Sequence, residues 1–284
     1  MYEAHWKLSE RPFENRVDNK FYYPAETHHA ALLKLHYAIE NRRAAAVLCG
    51  PGGMGKTLLV EALQRQLSES FGPISHVVFP ALSAPQMVRY LVERVGAGSA
   101  CDDLEATLAA PRDMATDVLA FERFLQRNLE RQRHAVIVVD EAHLLEQYDL
   151  LEPLRLLLNL AAAQSGGEAA WTLVLVGQPT LLTHVERYHA LDERLAVKCM
   201  LNRLQPEETI AYIQHRLRCA GGDAEEIFDY PSLERIHSLA QGIPRRINRL
   251  CDLALMVGYA EDRTLINTEV IDNVHSDLAA PSLG

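Results

Sequence analysis

The sequence predicts an α/β protein: a parallel sheet flanked by helices, followed by an all-helical unit. Up to Leu204, short apolar or β-branched runs alternate with amphipathic helical stretches, the pattern of strand–helix units. Four of the five runs are apolar nearly throughout, as strands covered on both faces must be. Beyond Leu204 no comparable run occurs, and the spacing turns helical.

The strands fall at 44–49, 75–79, 135–139, 172–176 and 197–201. Helical patterns lie between them at 57–70, 85–95, 115–132, 148–163 and 179–188. The second unit reads as helices at 206–219, 230–240 and 243–259, with a last one near 267–277. Pro206, Glu207 and Glu208 mark its first turn, where a fixed φ and negative charge suit a helix start. No internal repeat is present, and 96–113 and 164–170 read as surface loops. The division expected is an N-terminal segment 1–27, an α/β domain 28–204 and a helical domain 205–284.

The 284 residues are 48% hydrophobic and 23% charged, ordinary values that argue against disorder and leave material for a substantial core. A net charge of −10 gives weak general attraction to polyanions, which weighs against a nucleic-acid role while leaving it open. Cys49, Cys101, Cys199, Cys219 and Cys251 are odd in number, scattered and without a CxxC pair, so they read as free thiols of a reducing compartment. The opening MYEAHWKLSERPF mixes charges with aromatics, unlike a secretory signal, and no apolar run approaches the ~18 residues of a membrane span. A cytoplasmic protein without membrane insertion is the expectation.

The strongest motif is Gly50-Pro51-Gly52-Gly53-Met54-Gly55-Lys56-Thr57, a full GxxxxGK[ST] between a strand and a helical pattern. Its glycines let the backbone curl so that successive N–H groups face an anion. Lys56 supplies a point charge for β and γ phosphates, and the Thr57 hydroxyl is placed to ligate Mg²⁺. A second motif, Ala135-Val136-Ile137-Val138-Val139-Asp140-Glu141, ends a buried strand in two acids at the sheet edge where open α/β proteins bind ligands. Asp140 would hold Mg²⁺, mostly through its waters, and Glu141 would polarise an attacking water. Gln178, after the strand at 172–176, would orient that water or sense the γ phosphate; a plain turn residue is the other reading. Arg194 and Arg245 are candidates for countering charge on a transferring phosphoryl group. Position in sequence does not decide which arginine reaches it.

In this order GPGGMGKT, VIVVDEAH, LVLVGQP, ERLAVKCML and GIPRRINRLCDLAL resemble the AAA+ ATPases of the ExeA or general secretion pathway protein A type. Arg11-Pro12-Phe13 and Phe21-Tyr22-Tyr23 fit the Pro-Phe segment and aromatic patch with which that family begins. The resemblance implies a P-loop NTPase: a three-layer αβα base with a central parallel five-stranded sheet in the inserted-strand order, then a small all-helical lid, with ATP or ADP and Mg²⁺ bound between them. Carried over by position, the nucleotide-binding stretch is Gly50, Pro51, Gly52, Gly53, Met54, Gly55, Lys56, Thr57 and Leu58. Asp140 and Glu141 become Walker B, Gln178 sensor 1 and Arg245 sensor 2. Arg194 becomes the finger offered to a neighbouring subunit, which implies a homo-oligomer, ring or filament. The N-terminal segment lies near the adenine in that family, which points to Tyr22, Tyr23 and His28; packing in a core explains them equally.

Two positions depart from the family. Phe79-Pro80 stands where an Asn-Pro often holds the Walker B glutamate in check, and Ala161 replaces an acid after Arg155-x-Leu-x-Asn-Leu. The larger secretion members also carry a membrane helix and a cell-wall-binding segment, and this sequence shows neither. His28-His29 and the His184/His189 spacing lack the acid or cysteine that would complete a metal set. The function implied is ATP hydrolysis coupled to assembling or remodelling a partner complex whose identity the motifs leave open. The alternatives are an ATP-dependent DNA-associated regulator similar to TnsC and MuB, for which Arg245, Arg246 and Arg249 would supply a basic stripe, and a scaffold that holds nucleotide with little hydrolysis.

Overall fold

Apolar strands and amphipathic helices alternate as the sequence requires. The structure, a computed structural model, describes residues 1–78, 81–96, 113–160 and 168–279. Its first part contains α1 (Glu26–Glu40), β1 (Ala45–Cys49), α2 (Lys56–Gln66), β2 (Phe71–Val77), α3 (Ala84–Gly96), α4 (Met114–Glu130) and β3 (His134–Val139). A 3-10 stretch (Ala142–Tyr148) then leads to α5 (Leu151–Leu157), β4 (Trp171–Gly177), α6 (Thr180–Arg187), α7 (His189–Asp192) and β5 (Leu195–Met200). The C-terminal part is helical: α8 (Pro206–Cys219), α9 (Ala224–Ile227), α10 (Tyr230–Ala240), α11 (Pro244–Ala260) and α12 (Thr268–Ala279). Phe79, Pro80, Cys101, Ala161 and most of the loops expected at 96–113 and 164–170 lie outside the described residues.

The strands form one five-stranded sheet in the order β2-β3-β4-β1-β5, and every pairing is parallel. β4 is thus inserted between β1 and β3, and the α/β class with a helical C-terminal region is what the chain adopts. The three inner strands are buried at every residue. The edge strand β5 instead exposes Ala196, Lys198 and Met200 in alternation, the period of a strand covered on one face.

Three local expectations need correction. β2 begins at Phe71, earlier than expected, because Gly72-Pro73 reads as a breaker; on an edge strand the missing proline N–H is tolerated, and the register shifts between Phe71 and Ile74 to pass it. The helix expected at 148–163 is the shorter α5, since Asp149 adopts a left-handed φ of 52° that ends the preceding 3-10 stretch. α1 was not expected at all: His28, His29, His36 and Tyr37 dilute its pattern, yet Leu32, Leu35, Ala38 and Ile39 are buried at helical spacing.

By contacts the chain divides into two compact units. One comprises Ala30–Pro51 and Leu63–Leu201; the other comprises Met1–His29, Gly52–Ala62 and Asn202–Gly284. The first is built on the sheet, with a core of Val47, Ile137, Leu173, Leu175, Phe121 and Trp171. Inside it His134, 1% exposed, lies 2.8 Å by Nε2 from the Thr172 hydroxyl, which itself donates to the Arg43 carbonyl at 2.6 Å. Nε2 must therefore carry the hydrogen, and Nδ1 is buried without a partner among the described residues. Burial, with the Arg42 charge nearby, lowers the His134 pKa from 6.5 to about 4.

The unfolded chain thus takes up this proton at a higher pH than the folded one, and stability is lost as pH falls from 6.5 toward 4. The loss between about pH 7.5 and pH 5 is about 2 kcal/mol for this group alone. His134→Gln keeps an N–H for Thr172 and removes the titration. Its urea midpoint is expected to fall less than that of the wild type over that interval, and equal falls would refute the assignment.

The second unit has its own core, in which N-terminal Tyr2, Trp6, Leu8, Phe13 and Phe21 pack with Ile213, Leu217, Phe228, Ile247 and Leu255. Trp6 donates its indole N–H to the Leu255 carbonyl at 3.0 Å. Gly222 and Gly258 make room for this segment: a Cβ at Gly222 would meet Leu8 at 2.4 Å, and one at Gly258 would meet Trp6 at 2.8 Å. Glu208 caps two helices at once, accepting from its own N-cap residue Gln205 at 2.9 Å and from the Glu26 N–H of α1 at 3.0 Å. No helix among the described residues is long and apolar enough to cross a membrane.

Candidate active site

The phosphate loop leaves β1 at Gly50 and ends where α2 begins at Lys56. Gly53 and Gly55 take φ values of +80° and +84°, open to glycine at little cost. A side chain at Gly53 is excluded a second time, since its Cβ would lie 2.8 Å from Cβ of Arg245. Arg245 stands in the first turn of α11, donates its backbone N–H to the Gly53 carbonyl at 3.2 Å and leaves its side chain exposed. The sensor 2 candidate is therefore brought to the loop within one compact unit. Met54 is buried, and its carbonyl is 2.7 Å from Nε2 of His28 in α1. Lys56, 8% exposed, opens the helix, followed by Thr57 and Leu58.

In the sheet unit, the carboxyl ends of β1, β3 and β4 carry Gly50, Asp140 with Glu141, and Gln178. The Gly50 N–H donates to the Gly177 carbonyl at 3.2 Å, which ties the loop's first residue to β4. Asp140 is buried; its N–H donates to the Val77 carbonyl at 2.8 Å, and its Oδ1 accepts from the Glu141 N–H at 2.8 Å. Glu141 has a left-handed φ of 50°, costly for a residue with a side chain and common where a site fixes the backbone. Its half-exposed carboxylate has His143 Nδ1 at 3.3 Å. Gly177 is the close-approach position here, because a Cβ there would lie 3.0 Å from the His143 nitrogen. Gln178 follows it and is exposed.

Arg194 and Tyr23 make other contacts. Arg194 precedes β5 at the amino edge of the sheet, opposite the edge carrying Asp140, and donates to the Asn159 side-chain oxygen. Tyr23 packs edge-on against Tyr212 and beside His215 of α8, with ring centroids at 5.9 and 5.6 Å. Sequence reasoning missed His143 and His76, whose Nε2 is 3.6 Å from Asp140 Oδ2. The signal for His143 was the fourth residue of DEAH; His76 had none beyond its place near the end of a strand adjacent to β3.

A phosphate loop after an inner strand of an inserted-strand sheet, with acids closing β3, defines a P-loop nucleotide-binding protein of the AAA class. Residues 39–185, just over half of the chain, match the AAA domain family, and the chain belongs to it. Over 98% of its length it is also 31% identical to the General secretion pathway protein A of Aeromonas hydrophila, of which it spans 47%. Among solved structures, it superposes on Cdc6p from Pyrobaculum aerophilum with a TM-score of 0.68 at 15% identity, covering 94% of this chain and 70% of that one. The ORC2 protein of Aeropyrum pernix, in ADPNP and ADP complexes, gives 0.67 at 16% identity over 96% and 75%. At those identities the likeness shows the fold alone.

Proposed function

We propose that the chain is a Mg²⁺-dependent ATPase that couples hydrolysis to assembling or remodelling a partner complex. The observation that carries this reading is the shape of the phosphate loop: a complete motif whose two left-handed glycines turn the backbone as an anion cradle requires. Lys56 neutralises phosphate charge, and the main chain of Gly52 to Lys56 supplies donors. The Thr57 hydroxyl and the Asp140 carboxylate are the hard oxygen donors that would hold Mg²⁺, which would supply positive charge against that of the phosphates. Glu141 accepts the proton of the attacking water, and Gln178 orients that water. Arg245 counters charge on the transferring group. The base-and-lid division at 28–204 and 205–284 belongs to this proposal.

Arg194 sits at the sheet edge opposite its own Asp140, which supports a role on the nucleotide of a neighbouring copy and so an oligomer, ring or filament. The ADPNP and ADP held by the Aeropyrum protein support nucleotide binding by this fold. The similarity to General secretion pathway protein A supports a client in a secretion-type assembly. The test is ATP binding by Lys56→Ala, which removes one charged contact worth about 3 kcal/mol and is expected to weaken affinity about a hundredfold or more. Equal affinity in the variant would overturn the reading.

A further inference from the structure

Two successive carbonyls of the phosphate loop are held from outside it. Gly53 C=O accepts from the Arg245 N–H of α11 at 3.2 Å, and Met54 C=O lies 2.7 Å from Nε2 of His28 in α1. A carbonyl only accepts, so Nε2 carries the hydrogen and donates it. His28 is 5% exposed, and its Nδ1 is buried without a partner among the described residues. Burial also lowers its pKa, which keeps the ring in this neutral, Nε2–H form.

The consequence follows from peptide geometry. In a trans peptide the C=O of one residue and the N–H of the next point in opposite directions. Drawing Gly53 C=O toward α11 turns the Met54 N–H the other way, and drawing Met54 C=O toward His28 does the same for the Gly55 N–H. The flanking glycines at 53 and 55, both left-handed, leave this central peptide otherwise free to flip. A flip would present a carbonyl dipole to an anion where a donor is needed.

We propose that His28 is a positioning residue for nucleotide binding: by holding the Met54 carbonyl outward, it keeps the Gly55 amide directed at the phosphate before nucleotide arrives. His28 is not a catalytic residue on this view, since it acts through the loop. The inference rests on the ATP-binding reading above and deepens it, assigning to α1 a part in shaping the loop.

The experiment measures the affinity of the whole chain for ATP and ADP by calorimetry, in wild type, His28→Leu and His28→Gln. Loss of one pre-orienting hydrogen bond is expected to weaken ATP binding about tenfold in His28→Leu, whereas His28→Gln, whose amide nitrogen reaches nearly as far as Nε2, stays within about threefold of wild type. A purely structural role would lower the melting temperature of the Leu variant without that recovery of affinity. If His28→Leu does not fold, His28→Asn carries the comparison, because its amide stops short of Met54 and is expected to behave like Leu. Wild-type binding with equal affinity in the Leu or Asn variant overturns the proposal and leaves the ATPase reading standing; absence of binding by wild type overturns the ATPase reading itself.

Discussion

Glu141→Gln is expected to bind ATP as tightly as the wild type and to release phosphate about 10²- to 10⁴-fold more slowly, the usual contribution of a positioned general base. Glutamine has the same length and accepts the same left-handed backbone, so the φ of 50° costs the variant no more than the parent. What it loses is basicity: an amide does not take a proton from water. The residues of the phosphate loop are untouched, which is why affinity and turnover separate. Titration of a fluorescent ATP analogue together with steady-state phosphate release measures both. Turnover equal to the wild type would remove Glu141 from the mechanism, and a parallel loss of affinity would make its role structural.

Arg216→Met is expected to produce the largest loss of stability. The guanidinium is 4% exposed, lies 4.8 Å from the centre of the Phe21 ring, and donates to the Tyr212 hydroxyl at 2.9 Å and the Glu14 carbonyl at 3.1 Å. It donates as well to the Pro12 carbonyl, so it clamps the Pro-Phe segment on both sides of Phe13. The Tyr212 hydroxyl passes the connection to Asn248 at 2.8 Å, and Asn248 donates to Asn15 at 2.9 Å. Methionine keeps most of the buried stem and strips the donors. Three acceptors left bare cost about 1 kcal/mol or more each, so a loss of about 3 kcal/mol or more is expected, a large share of a typical domain's stability. Chemical unfolding measures the loss, and limited proteolysis within residues 1–21 locates it. A change below about 1 kcal/mol with an unaltered cleavage pattern would mean that the aromatic anchors hold the segment alone.

The parts of this molecule legible in its sequence are those set by local chemistry. The inner strands announce themselves because a strand buried on both faces must be apolar at every position, and the phosphate loop because positive φ and close backbone approach restrict the residue types. The start of β2 at Phe71 was not legible, since only its place at the sheet edge makes the proline of Gly72-Pro73 acceptable. The anchoring of the N-terminal segment was not legible for another reason. Tyr2, Trp6, Leu8, Phe13 and Phe21 follow neither a period of two nor one of 3.6, and their partners in α8 and α11 lie far along the chain, 249 residues away for Trp6 and Leu255.

The site divides in the same way. Lys56 and Thr57 open α2 and Asp140 and Glu141 follow β3, as motif and strand context led one to expect, and the nearness of Arg245 to Gly53 follows the resemblance. The resemblance pointed Tyr23 toward the adenine and core packing explained it equally; its ring packs against α8. The two histidines beside the acids, His143 and His76, and the bond from His28 to Met54 depend on tertiary placement. A histidine in a helix or at a strand end carries no mark of the carbonyl or carboxylate it will meet.

The central claim, hydrolysis of ATP at this phosphate loop, is tested most directly by counting phosphate released per subunit from ATP by the wild-type chain, with Mg²⁺ and with a chelator. The account predicts continuous release over many turnovers with Mg²⁺ and none above background with the chelator. A burst of one phosphate per subunit followed by silence, or release indifferent to the chelator, would contradict it.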